Sequence, residues 1–145
     1  MIDPELTLVR DAVLAMPMAR TLGVEFDVVE RGRVELRVPI AEALTFSPGR
    51  LQAAAVFAAA DFAAVGAAGT LLPPGWINAT VDGTIKLVAP AEGTHLRVAG
   101  RVVDAGRTLT VCAADAYAVG EEGERLCATW LGTARNIDLT ARVGR

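Results

Sequence analysis

The sequence predicts an α+β domain in which a curved, six-stranded antiparallel sheet wraps around one long central helix. Three observations carry that expectation. From Ala53 to Gly69 every residue is Ala, Val, Phe or Gly except Asp61, so a helix there has no polar face and must be enclosed by protein. After it come β-like runs over Trp76–Val88, His95–Val103, Thr108–Val119 and Arg125 to about Ile137. Before it, alternating apolar and charged residues between Val24 and Ile40 describe a hairpin with one wet face. At 145 residues the chain has room for one core and not two, so all of these elements are placed in a single domain, 1–145.

In chain order, Pro4–Met16 carries Leu6, Val9, Val13 and Leu14 among charged residues, with Pro4 suited to a first turn. An amphipathic helix over about 4–16 is expected, ended by Pro17. In the hairpin, Val24, Phe26 and Val28 precede the turn Arg31-Gly32, and Val34, Leu36 and Val38 follow it; Pro39 closes it. Ser47-Pro48-Gly49 admits two readings. Ser47 caps the helix with Pro48 at its first position, or the segment is a turn and the helix starts later, near Gln52, running over about 52–70. Only a late start leaves the N–H groups around Ala53 free for an anion or a developing oxyanion. The later connectors, Ala89–Gly93, Asp104–Gly106 and Gly120–Gly123, are turn-like, which argues an antiparallel meander. Residues from about 139 to 145 read as a frayed tail. A sheet of this size covers a helix on one side only, so a dimer or tetramer is expected to cover the rest.

The composition excludes several functions. A hydrophobic fraction of 52% rules out a disordered chain, and a formal charge of −3 rules out a broadly basic nucleic-acid surface. Cys112 and Cys127 cannot form a disulfide scaffold, and no leader opens the chain at Met1–Asp3; a reducing cytoplasm is the expectation. Leu51–Leu72 is long enough to cross a bilayer, but Ala and Gly contribute little insertion energy while Asp61 costs roughly 2.5–3.5 kcal/mol. No membrane association is expected. Ser47 is the one serine and His95 the one histidine, neither in a nucleophile-elbow context. One His and two well-separated Cys make no zinc site, and no phosphate-binding glycine loop is present. Chemistry must come from carboxylates and backbone dipoles, without a metal or a separate cofactor.

Asp61 is the residue that breaks the pattern. Phe57 lies one helical turn before it and Val65 one turn after, with Ala54, Ala58, Ala64 and Ala68 nearby. Two readings stand. The carboxylate is desolvated or opens into a crevice, which raises its pKa and marks a site; or small neighbours leave it exposed where the helix meets water. Trp76, Trp130 and both cysteines read as packing residues, and His95 as an exposed strand residue.

The run Ser47-Pro48-Gly49-Arg50-Leu51-Gln52-Ala53-Ala54, followed by Asp61, resembles the signature of hotdog-fold acyl-CoA thioesterases of the phenylacetate-pathway and 4-hydroxybenzoyl-CoA type. That signature is Asn-x-x-Gly-x-x-His-Gly-Gly with an acid seven residues later. Gly49 and Asp61 keep their places, whereas Phe46 stands for the Asn, Gln52 for the His, and Ala53-Ala54 for the paired glycines. Downstream, Asp82 to Ala91 resembles the family strand ending in Pro-Ala, and Gly106-Arg107 its next turn.

The resemblance implies a dimer with active sites at the subunit interface and a CoA thioester as substrate. Asp61 would be general base or nucleophile, the Ala53 N–H the oxyanion donor, and Gln52 an orienting amide. Phe46, Gly49, Ala54 and Val65 are the candidate substrate-binding positions. Lys86 and Arg107 are candidates for the CoA phosphates, or else solvated surface charges. Acyl-CoA hydrolysis is the leading expectation. A noncatalytic acyl-CoA binding or sensing module, suggested by the lost Asn, His and glycines, is the alternative. The hotdog hydratases, which use an Asp/His pair, rank third because His95 is remote from Asp61 in the chain.

Overall fold

The computed structural model describes residues 1–142. Its N-terminal helix differs from the expected single element over 4–16. Asp3 accepts a hydrogen bond from Glu5 N (2.9 Å) and caps a 3-10 turn over Pro4–Leu6, which runs into α1, Thr7–Leu14. Pro17 then opens a second helix, α2 (Pro17–Leu22), instead of ending the helical region. Proline lacks the N–H that a first-turn position leaves unused, so it starts a helix as readily as it stops one. Gly23, at φ 72, closes α2 in the left-handed conformation.

Strands β1 (Glu25–Glu30) and β2 (Arg33–Pro39) form the hairpin about Arg31-Gly32. Two short strands, β3 (Thr45–Ser47) and β4 (Arg50–Leu51), pair around Pro48-Gly49. Gly49 has φ 76, as the third position of a Pro-Gly turn requires. Ser47 therefore sits in a strand and caps nothing; the late helix start is the one realised. α3 runs Ala53–Gly69, followed by β5 (Trp76–Leu87), β6 (His95–Ala105), β7 (Leu109–Gly120) and β8 (Gly123–Asp138).

These strands make a six-stranded antiparallel sheet in the order β1-β2-β6-β7-β8-β5. The expected meander is corrected in one respect. β6, β7 and β8 are successive neighbours, but β5 lies beyond β8 at the far edge, from Trp76 opposite Asp138 to Leu87 opposite Ala128. The segment leaving β5 makes no hairpin because it is tied beneath the helix start. Val88 N and Ala89 N donate to Cys127 O, Leu51 N donates to Ala91 O, and Arg50 pairs with Glu92. The chain crosses the ends of β8 and β7 past the start of α3, with Thr94 N donating to Val119 O, before it enters β6.

α3 lies across the concave face of the sheet. Ala59, Ala63, Ala64 and Ala67 are fully buried against it, and a Cβ built on Gly100 of β6 would collide with the Ala63 carbonyl and Ala64 N. Helix backbone and strand thus touch directly, which only small side chains permit. At its C-terminal end Thr70 donates to Ala67 O (2.6 Å) and accepts from Gly32 N (2.7 Å), tying the helix to the β1–β2 turn. Of the tail expected over 139–145, Thr140–Arg142 form a 3-10 turn, and 143–145 lie outside the described residues. Among the described residues no helix is long and apolar enough to cross a membrane.

Candidate active site

Asp61 sits on the stripe of α3 turned away from β6. Along that stripe Ala54 is exposed, and Phe57, Ala58, Asp61, Phe62 and Val65 are half-buried. The carboxylate is held from the edge strand: Thr80 Oγ1 on β5 donates to Asp61 Oδ1 at 2.7 Å. One helical turn on, Asn78 Nδ2 donates to Val65 O at 3.0 Å. The pairing of β5 with β8 shifts register between Thr80 and Asp82, a bulge of the kind that re-aims side chains beside functional sites. Burial raises the pKa of Asp61 above the usual carboxylate value, and the Thr80 hydroxyl opposes that rise by stabilising the anion. The result is a partly desolvated carboxylate in a fixed orientation.

At the helix start, Gln52 is the cap. Its carbonyl accepts from Ala55 N (2.9 Å) and Val56 N (3.3 Å), and its own N–H donates to Leu44 O (2.8 Å). Its side chain turns back so that Oε1 accepts from Ala53 N at 2.5 Å. A cavity of about 610 Å³ opens here, lined by Phe46, Leu51, Gln52, Ala53, Val56, the Leu87–Ala91 segment and Cys127. Phe46 is 63% exposed at its mouth. Burial pushes the Cys127 thiol up to about 11, so at neutral pH it is a protonated thiol and no nucleophile; it donates to Ala116 O at 3.3 Å.

The sequence-predicted residues fall into separate places. Gln52, Ala53 and Phe46 come together at the cavity, while Asp61 does not line it. Asp61 lies eight positions after Ala53 on α3, about 12 Å along the axis at 1.5 Å per residue. Ala54 and Val65 share the Asp61 stripe. Gly49 lies in the β3–β4 turn, where an added Cβ would meet nothing within 4 Å, so its conformation and not its small size accounts for it. Lys86 is exposed on β5, one residue past Ile85, whose cross-strand partner Trp130 points inward; strand alternation puts Lys86 on the outer face. Arg107 lines a second cavity, about 310 Å³, at the far end of α3 with Leu72, Trp76 and Asn136. Thr80 and Asn78 went unread in the sequence. Their signal is faint: polar residues two apart in a strand, Asn78 and Thr80, on the face that should meet the helix.

Known proteins similar to this chain are consistent with one another. No family model matches the chain. "Putative esterase SSO1253" of Saccharolobus solfataricus is 32% identical over 114 residues, 77% of this chain and 72% of that protein. The crystal structure of a thioesterase family protein from Silicibacter pomeroyi superposes with a TM-score of 0.87 at 38% identity, covering 90% of this chain and 96% of that one. Thioesterase HI1161 of Haemophilus influenzae (TM-score 0.79, 19% identity, 90% and 89% covered) shares the fold. So does the PaaI protein of the Escherichia coli phenylacetic acid degradation operon (0.78, 16%, 91% and 93%). A six-stranded sheet curled about a central helix, in this strand order, makes the protein a hotdog domain. The chain belongs to the hotdog-fold thioesterase family, a family of thioester hydrolases.

Proposed function

We propose that the protein hydrolyses acyl-CoA thioesters, with Asp61 as general base toward water or as nucleophile and the Ala53 N–H as oxyanion donor. The observation that carries the reading is the half-buried Asp61, its pKa raised by burial, held by Thr80 on an otherwise apolar stripe. As base, Asp61 takes a proton from water while the hydroxide oxygen bonds to the thioester carbon. The carbonyl oxygen takes the place of Gln52 Oε1 and gathers charge opposite the Ala53 N–H. The C–S bond then breaks, and the sulfur recovers the proton from Asp61, giving a carboxylic acid and free CoA. A thioester is already activated, so one carboxylate and one donor worth roughly 2.7–4 kcal/mol are adequate. CoA enters as part of the substrate and no separate cofactor is required.

The 12 Å interval sets a condition: the donor and the carboxylate that share one carbonyl come from two chains, with a second α3 packed antiparallel on the first. β5 is an unpaired sheet edge with Ile77 and Val81 exposed, and it borders the half-exposed stripe Phe57, Ala58, Phe62 and Val65, a surface suited to a second copy. Dimerisation, or a tetramer built from such dimers, completes the site. Phe46, Ala54 and Val65 then contact the substrate, Gly49 shapes the turn beneath it, and Lys86 and Arg107 are candidates for the CoA phosphates. Cys112 and Cys127 are unpaired, in keeping with a cytoplasmic setting.

The test is turnover of a panel of acyl-CoA thioesters. Asp61→Asn is expected to lower kcat by roughly 10²–10⁴-fold with the fold retained; unchanged turnover removes Asp61 from the mechanism. Ala53→Pro deletes the N–H at a position that tolerates proline, since Gln52 is already extended (φ −62, ψ 141). Mixing the two inactive variants under conditions of subunit exchange is expected to restore about a quarter of wild-type activity, because half the dimers then hold one intact site. No recovery would contradict a site shared between chains. One observation favours a second reading: Gln52 Oε1 occupies the Ala53 N–H, as in an acyl-CoA binding module that does not turn over. Tight acyl-CoA binding with no release of free thiol would select it.

A further inference from the structure

Trp130 is the largest fully buried side chain among the described residues, 1% exposed. It leaves β8 opposite Ile85 and lies across the Gly83–Gly132 cross-strand pair, where a Cβ on either glycine would collide with the indole. On its other side it meets Phe57 of α3, ring centroids 5.9 Å apart and planes at 76°. Phe57 is one turn from Asp61, and Gly83 is three residues beyond Thr80, which holds the carboxylate. Asp61 is also close enough for its charge to be felt at Cys112, the β7 partner of Gly132. The indole therefore fills the space between sheet and helix directly inward of Asp61.

On the opposite flank Gly100 and Ala63 bring the helix backbone onto the sheet, so the bulk between helix and sheet is set on the Trp130 side. The indole Nε1 is buried and has no hydrogen-bond partner among the described residues. An orphaned donor in a core is unfavourable, and a phenyl or leucyl side chain would avoid it. What the fold obtains from Trp130 is bulk, seated in a slot that two glycines leave empty.

We infer that Trp130 is the residue that determines acyl specificity, closing the inner end of the acyl site and restricting the substrate to short or compact acyl groups. The inference rests on the acyl-CoA hydrolase reading with Asp61 at the reacting carbonyl. Phe57 is in edge contact with the indole and lies one helical turn from Asp61 on the same half-buried stripe, so an acyl chain that passes Phe57 from that carbonyl meets Trp130 next.

The experiment measures kcat/KM over saturated acyl-CoA thioesters from acetyl to dodecanoyl for the wild type, Trp130→Leu and Trp130→Ala, with thermal unfolding to verify each fold. The wild type is expected to favour the short members. In the variants the ratio of decanoyl-CoA to butanoyl-CoA turnover is expected to rise about tenfold or more, the discrimination that a few methylenes provide. Trp130→Phe reads the same ratio if the smaller side chains do not fold. A wild type that handles decanoyl-CoA as well as butanoyl-CoA, or folded variants with an unchanged ratio, overturns the role of Trp130 and leaves the hydrolase reading standing. A wild type that hydrolyses no member of the series overturns both.

Discussion

The two faces of α3 are built from different residues and do opposite things. Toward β6 the helix shows Ala59, Ala63 and Ala67, all fully buried, and the backbone rests on Gly100. Toward β5 it shows Phe57, Asp61, Phe62 and Val65, all half-buried, and it is held off the sheet by Trp130 and hydrogen-bonded to Asn78 and Thr80. The first face anchors and the second leaves room. Close contact on one flank tilts the free volume to the other, which is where the only carboxylate of the helix stands. Alanine is used here for shape: it is the one residue small enough for helix–strand contact without the conformational cost of glycine in a helix.

Substitutions on the two faces should separate activity from stability. The largest effect is expected from Asp61→Asn, which abolishes most turnover and raises the melting temperature at neutral pH. The sign follows from linkage. A carboxyl whose native pKa lies above its ordinary value binds protons more tightly when folded, so stability falls as pH rises from the ordinary value through the raised one. Above that window the charged Asp61 weighs fully against the fold, and its amide replacement does not. A melting temperature that drops in Asp61→Asn at neutral pH would show that the carboxylate is structural. Ala53→Pro comes next, with kcat lowered by roughly 10²–10³-fold if the lost N–H served the oxyanion, and circular dichroism unchanged.

On the sheet-facing side, Gly100→Ala is expected to cost about 1–3 kcal/mol of stability by overpacking, seen as a lower denaturant midpoint, while the pH profile of the surviving activity keeps its shape. If Gly100→Ala instead moved that profile, the two faces would not be independent. The smallest effect is expected from Thr80→Val. Losing the hydroxyl removes the one contact that lowers the Asp61 pKa, so the acid limb of the pH–rate profile moves to higher pH. An unmoved limb would remove Thr80 as the residue that holds the carboxylate.

Much of the domain could be read in one dimension. The enclosed helix followed from seventeen positions, Ala53–Gly69, with a single polar residue, and the β1–β2 hairpin from alternation about Arg31-Gly32, although a bulge between Phe26 and Val28 puts Val29 and not Val28 in the core. Pro17 misled because a proline reads alike at the end of one helix and the start of the next. The meander misled because Ala89–Gly93 looks like any turn, and nothing local reveals that Leu51, Glu92 and Cys127 tether it to other elements. Asp61 was visible as an anomaly and Gln52-Ala53 as one of two possible helix starts. Thr80 was not, since its meaning depends on an edge strand placed opposite α3 and on a bulge that turns it inward.

Residue chemistry taken in order along the chain was enough to establish a buried helix and the lone acid upon it, because each of these is a matter of composition and local spacing; it left the start of that helix open between Pro48 and Gln52. Which flank of the helix meets the sheet was beyond it. The Ala-rich run is apolar all round, so no periodicity distinguishes one side from another. That choice belongs to contacts between residues far apart in the chain, Gly100 against Ala63, Trp130 against Gly83 and Phe57, Thr80 against Asp61, and it is these that turn an out-of-place carboxylate into a positioned one.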